Sequence, residues 1–522
     1  MTPRRHGLAV FGLAWLALLW LTPSIEGYLV NTDHGYQLSL ARLIQLGGFP
    51  DVDLFYHYGP MVAWSSAAAL WLSGGLLGET ILCATGYAVA LGCLGGVARA
   101  RIGPVAGWVV PLLGIVFLAR FYKWYFWIFP ALALVSLHVH LGDDARDRRD
   151  LLLAGATAGL CALFRFDLGV VLLVLWLGVA VVGREGLFGR GLVARGLWVI
   201  LGFLVPIGLW VGVLGGVGGF EAVSDYRIAT FDGATGVVGY WSMSPPRFDP
   251  TAPFSPESGV RLALTVMPLV LVAGLALGAW RTLRTSGAPA RDARFLAGAS
   301  VLGIGLLPQA YYRADGHHLL QALPPVLVVA PLVARHLRLE LAGRSQVARR
   351  LALVASGAVL LALATAGIGL LRFGGADLSS PASNGIERLA KLARGLEAAP
   401  PGALKATVRR IPSLVPPDGR ILVVPIVPEV YYFAERRMSG ILNQYAPGIL
   451  DGPRWRERNL EHVRAHPPDI VFTSALMMHP RSPMGRAFRR SWPDLSRYLR
   501  GHYREVAFVR GPWILLRRSP SP

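Results

Sequence analysis

Residues 31–60 read Asn31-Thr32-Asp33-His34-Gly35-Tyr36, then an amphipathic run to Leu46, then Gly47-Gly48-Phe49-Pro50-Asp51-Val52-Asp53-Leu54-Phe55-Tyr56-His57-Tyr58-Gly59-Pro60. This polar loop follows an apolar run over 7–23, preceded by Arg4 and Arg5. No small-x-small cleavage site follows that run cleanly, so it is read as a retained helix and not as a signal peptide. Apolar runs of spanning length or slightly less recur near 79–98, 104–119, 124–141, 151–164, 168–183, 196–214, 260–280, 295–312, 319–334 and 351–371. A helix needs about 20 apolar residues to cross a bilayer core. The pattern predicts a polytopic α-helical membrane protein of about 11 spans, with residues 24–78 as the first loop outside the bilayer.

Composition agrees. Of 522 residues 53% are apolar and 16% charged, against roughly 25% charged in soluble domains, and mean hydropathy is +0.48. Disorder is excluded by the apolar content. A disulfide framework and a zinc site are excluded by the cysteines, since only Cys83, Cys93 and Cys161 are present, each in an apolar run. The net charge of +20 would suggest nucleic acid in a soluble protein. In a membrane protein it reports topology instead.

Pro60 to Leu77 is a further apolar stretch, and counting it as a span would reverse every later loop. With that stretch left as an interfacial helix, the inside segments carry 19 Lys+Arg and the outside loops before residue 372 carry eight. That excess predicts a cytoplasmic N-terminus, an inner-membrane location and an external (periplasmic-side) tail. The division expected is 1–371 for the membrane part, including loop 24–78, and 372–522 for a small external α/β domain. The tail holds 24 Lys+Arg and 12 Asp+Glu. Ile421–Pro425, Asp469–Thr473, Glu505–Val509 and Trp513–Leu516 read as strands, and Ile386–Ala398 and Trp455–Arg464 as helices. Its basic surface, away from cytoplasmic nucleic acid, suits anionic headgroups or envelope polymer, or is a plain solvated face.

Asp33 lies just after the first span and before a helix that would run along the interface. A carboxylate there sits at headgroup depth, where it can accept a proton from an attacking hydroxyl. The structural alternative is a helix cap for the run beginning near Tyr36.

The series of Asp33-x-x-Tyr36, Ala41-Arg42, Gly47-Gly48-x-Pro50, Asp53-x-Phe55 and Gly59-Pro60, followed by many spans and an external α/β tail, resembles the GT-C superfamily of membrane glycosyltransferases. Within it the chain is similar to bacterial relatives of protein O-mannosyltransferases and lipid A aminoarabinose transferases. The resemblance implies a polyprenyl-phosphate sugar donor, an external active site under the first loop, and inverting transfer to an acceptor hydroxyl of unknown identity. Asp33 falls on the acidic position used at the active site. The sequence departs from the pattern at His34, where many relatives carry Glu, and at Arg120 to Trp124, where some carry an acid. His57 stands where a basic residue is usual.

That chemistry asks for cations near the donor phosphate. The candidates at outside ends of spans are Arg120, Lys123, Arg165, Arg313 and His318, with His317 and Asp315 beside the last two; Arg313 and Asp315 read equally as an ion pair, and Asp167 pairs with Arg165. Donor or acceptor contacts are expected from His34, Asp53, His57, Arg120, Lys123, Arg313, Asp315 and His318. The loop 215–259, rich in aromatic residues and Pro, suits a lid or an interfacial anchor. Asp51-Val52-Asp53 is too short a signal for a metal site, so no cofactor is expected. A transporter lacks the expected paired broken helices. A polysaccharide ligase or polymerase would place its key residues in a late loop.

Overall fold

The computed structural model describes residues 1–21, 32–117, 121–142, 147–182, 191–341, 402–479, 481–508 and 513–519, with isolated residues between 342 and 401. Arg120, most of the predicted span 351–371 and most of the predicted helix 386–398 lie outside the described residues. Every other predicted span is helical: Pro3–Leu21, Leu76–Arg101, Pro104–Val116, Tyr125–His140, Asp147–Phe164, Phe166–Val182, Leu192–Trp241, Pro256–Arg284, Gly287–Tyr312 and Leu323–Leu341. Among the described residues, Leu76–Arg101, Val193–Gly233, Pro256–Arg284 and Gly287–Tyr312 are long and apolar enough to cross a membrane by length and composition. The others are shorter or more charged. Pro104–Val116, at 13 residues, reaches roughly 20 Å of a core about 30 Å thick.

The chain divides into two compact units that do not follow chain order: Met1–Pro23, Cys83–Gly208 and Ser242–Ile386 in one, Ser24–Leu82, Leu209–Trp241 and Glu387–Pro522 in the other. The first is helical. Pro256–Arg284 packs on Gly287–Tyr312, Leu323–Leu341 lies against both, and Asp147–Phe164 pairs with Phe166–Val182. Three of the arginine-rich segments meet at one end of this unit. Arg101 pairs with Asp292 at 2.6 Å, Arg335 approaches the same carboxylate at 3.8 Å, and Arg281 pairs with Glu340 at 2.9 Å.

The second unit is α/β. Its sheet runs β2-β1-β3-β5-β4, with β1 Arg420–Val423, β2 Arg437–Met438, β3 Ile470–Ser474, β4 Tyr503–Phe508 and β5 Trp513–Arg518. β1 is parallel to β2 and β3, while β5 is antiparallel to β3 and β4. All four predicted strands are present within one or two residues; β2 is additional. Their apolar runs are continuous because both faces of the sheet are covered. Ile421, Val423, Ile470, Phe472 and Leu515 share a core with Tyr36, Leu40, Leu43, Leu54 and Tyr56 of the first loop. Leu422, Val424, Val471, Ile514 and Leu516 pack with Trp455, Phe488, Trp492, Phe55 and Ala229. The two sets alternate along each strand, as a period of two requires.

This core changes the division read from the sequence. The first loop, grouped there with the membrane part, folds into one unit with the tail, because its helix Thr32–Gln45 has an apolar face that the sheet buries. A third segment joins them. The helix Leu192–Trp241 breaks its geometry at Gly219, whose φ of 68° is open to glycine, and then continues through what the sequence reading took as loop. Beyond the break, fully buried Asp225 pairs with Arg454 and Arg458, and Asp232 accepts the Trp455 indole N–H at 2.9 Å.

Candidate functional site

Asp33 lies in the first turn of the loop helix Thr32–Gln45. The helix has already begun at Thr32, so Asp33 is not its cap; in this turn the helix dipole favours a carboxylate. Three residues on, Tyr36 occupies the same helix face. The Tyr36 ring lies 5.2 Å from that of His57 and 6.0 Å from that of Tyr58, and the His57 and Tyr58 rings are 4.2 Å apart. Burial, then Tyr58 and the charge of Asp33, hold the Tyr36 hydroxyl well above its ordinary range. Asp33 and His57, two residues selected from sequence, therefore flank one buried tyrosine that was not.

The helix is anchored to the tail segment at this turn. Asn443 donates to the Tyr36 carbonyl at 3.2 Å and to Ser39 Oγ at 2.6 Å. Gly35 faces Glu429 closely enough that a Cβ would sit 2.7 Å from the Glu429 Cβ. Burial pushes the Glu429 carboxyl up to about 7.

His34 points elsewhere. It is buried, its Nε2 3.5 Å from Glu79 Oε1. The same carboxylate oxygen accepts from Gln37 Nε2 at 3.2 Å and Ser66 Oγ at 3.1 Å, and Gln37 also donates to Ser66 at 2.6 Å. Glu79 comes to this cluster from the helix Leu76–Arg101. Its signal in the sequence was an acid at the start of an apolar run, where ionisable groups are costly.

The remaining loop candidates separate. Asp53 is exposed and accepts the Phe49 N–H at 3.0 Å. Asp51 is buried at a φ of 61°, and burial pushes its carboxyl up to about 8. Among the described residues no group of three His, Cys, Asp or Glu is arranged to hold a metal ion.

Lys123, Arg313, Asp315 and His318 belong to the helical unit. Lys123 ends the short turn Phe121–Lys123 and is buried, its Nζ 5.7 Å from the Tyr122 ring centroid. Arg165 grips Asp167 with two bonds of 2.8 and 2.7 Å, the local pair expected. Asp315 caps the helix Gly316–Gln321: its Oδ1 accepts the His318 N–H at 2.9 Å and lies 2.8 Å from His318 Nδ1. Its Oδ2 is 3.2 Å from Arg313 Nε. These three side chains thus form one polar turn.

No protein-family model and no curated protein matches the chain. Several solved structures do, among them two that align over nearly the whole chain. ArnT from Cupriavidus metallidurans, bound to undecaprenyl phosphate, aligns with a TM-score of 0.51 at 13% identity over 98% of this chain and 97% of its own. The archaeal oligosaccharyltransferase AglB from Archaeoglobus fulgidus, in complex with an inhibitory peptide and a dolichol-phosphate, aligns with a TM-score of 0.50 at 12% identity over 96% of this chain and 72% of its own. Each alignment covers nearly the whole of this chain, and the chain shares its overall fold with these two proteins.

Proposed function

We propose that the protein is an inverting membrane glycosyltransferase that moves a sugar from a polyprenyl-phosphate donor to an acceptor hydroxyl on the external face of the membrane. The observation that carries this reading is the near end-to-end fold match to a protein bound to undecaprenyl phosphate, joined to an aspartate at the head of the loop helix that follows the first apolar helix. In the reaction Asp33 takes the proton of the acceptor hydroxyl as its oxygen attacks the anomeric carbon. The bond from that carbon to the phosphate oxygen breaks, and polyprenyl phosphate leaves with the electron pair. Among the cations that the sequence sets at ends of apolar runs, Arg120, Lys123 and Arg313 are proposed to stabilise the charge that the leaving group keeps. Loop 24–78 and the tail 372–522 stand outside the bilayer, and the N-terminus inside, as the arginine distribution requires.

The test joins two measurements. Mass spectrometry of lipid co-purifying with the detergent-extracted protein is expected to find a polyprenyl-phosphate sugar, and its mass narrows the sugar. Transfer from that lipid is expected to fall in Asp33→Asn with the fold intact. Absence of any such lipid, together with an active Asn variant, would overturn the proposal.

A further inference from the structure

The edge of the sheet carries a charged feature for which sugar transfer at Asp33 has no use. Arg420 of β1 and Arg437 of β2 are direct partners in a parallel pair, so their side chains leave the sheet on one face. His462 and His466 come toward them from the end of the helix Pro453–Ala465, with ring centroids 4.6 Å apart. The Gly47–Gly48 turn and Asp53 close the remaining side. Together they line a cleft of about 290 Å³, at the lower end of small-molecule sites.

The charges in this cleft do not cancel. Arg437 forms no ion pair among the described residues, and Asp53 is the one carboxylate in the lining, against two guanidinium groups. Arg420 donates to the Met438 carbonyl at 2.8 Å, which fixes its fork and leaves its other N–H groups. Burial and the neighbouring Arg437 both press against the charge of Arg420. His462 Nδ1 lies 2.7 Å from the Ser439 carbonyl oxygen, which only accepts, so the proton is on Nδ1 and Nε2 is left over. Two guanidinium forks and two imidazoles on one concave surface match the geometry of a phosphate, which accepts bidentate pairs.

We propose that this cleft binds a phosphate-class anion, an inference that does not depend on the glycosyltransferase reading. The phosphate belongs either to a lipid headgroup or to a soluble phosphorylated saccharide. Asp53 opposes the anion and sets its affinity below what the arginines alone would give.

The test uses the full-length protein in detergent, titrated calorimetrically with inorganic pyrophosphate. Wild type is expected to bind saturably, Arg437→Gln and Arg420→Gln to bind about 10-fold more weakly or less, and Asp53→Asn to bind more tightly. Arg437 is exposed, so its variant keeps the fold. Competition with phosphatidate-containing vesicles against glucose 1-phosphate separates the two sources. Lack of saturable binding, or equal affinity in wild type and both arginine variants, would overturn the site. Co-purifying donor lipid is scored separately. Donor present without pyrophosphate binding removes the cleft and leaves the transferase; pyrophosphate binding without donor keeps the cleft and counts against the transferase.

Discussion

Asp33 and Asp315 look alike in the sequence and are not alike in the structure. Each precedes a His-Gly or Gly-His pair and each stands at the head of a helix; from sequence Asp33 was open to a cap or a site reading, and Asp315 to an ion-pair or a site reading. Asp315 is a cap. One oxygen accepts from the His318 backbone and the other meets Arg313, so its acceptor sites are used by its own turn. Asp33 is inside its helix, with the cap position already passed, and shares a face with Tyr36 against His57 and Tyr58. An aspartate's role is set by where the helix begins, and a shift of one or two residues moves the carboxylate from closing the backbone to sharing a helix face with the residue three positions on.

The largest effect expected from this contrast is on turnover. Asp33→Asn keeps size but would remove the proposed base, and loss of a general base costs roughly 10² to 10⁴ in rate, with thermal stability close to wild type. Asp315→Asn retains a capping oxygen and is expected to be near wild type in both measurements. An inactive Asp315→Asn beside an active Asp33→Asn would reverse the comparison.

A third aspartate sharpens it on the side of stability. Asp225 is fully buried and held by Arg454 and Arg458, and Asp225→Ala leaves those two cations facing an empty site. Because both arginines are partly exposed, the cost is expected to fall below the range for fully buried pairs, at about 2–3 kcal/mol. Thermal unfolding and limited proteolysis of the tail would detect it, and an unchanged melting temperature would show that the clasp is not needed.

A fourth aspartate is held in the opposite sense. The Asp51 carboxyl is pushed up to about 8, from 3.8, so the folded chain keeps its proton where the unfolded chain has released it. This contribution to stability is fully present below the unfolded value and is lost as pH rises toward 8. Asp51→Asn fits the positive φ, which asparagine accepts, and is expected to flatten the pH dependence and to stabilise at pH 8 by on the order of 2 kcal/mol. Unfolding scans at pH 5 and pH 8 check this; a parallel fall in both proteins would assign the dependence to other groups.

The smallest effects belong to the polar turn. Asp315→Ala is expected to cost about 1 kcal/mol as a lost cap. Arg313→Ala removes a part-exposed pair worth about 0–1 kcal/mol, so a marked loss of donor binding in that variant would show that Arg313 holds phosphate beyond its contact with Asp315. Unchanged donor binding would leave it as a partner of Asp315 alone.

Some of this was legible from the chain itself. Apolar runs and their breaks mark the helices, because a segment that buries its whole circumference must be apolar all round. The strands of the tail were readable for a similar reason, as short continuous runs covered on both faces. Asp33 and His57 were reachable from the loop pattern. Local pattern did not show β2, whose two residues are too few to carry a period, or the helix beyond Gly219, which a glycine-rich break disguised as loop.

By itself, then, the sequence determined the helical character and the existence of an α/β tail, since each depends on residues close in the chain. Only the tertiary structure decided that the Tyr36 ring lies against that of His57, that His34 meets Glu79, and that Arg420 and Arg437 line one cleft with His462, His466 and Asp53. It also decided that loop 24–78 folds with a tail more than 300 residues later. The physical reason is burial: the loop helix has one apolar face and the sheet has two, and which faces meet depends on shape and excluded water across segments that no local period connects.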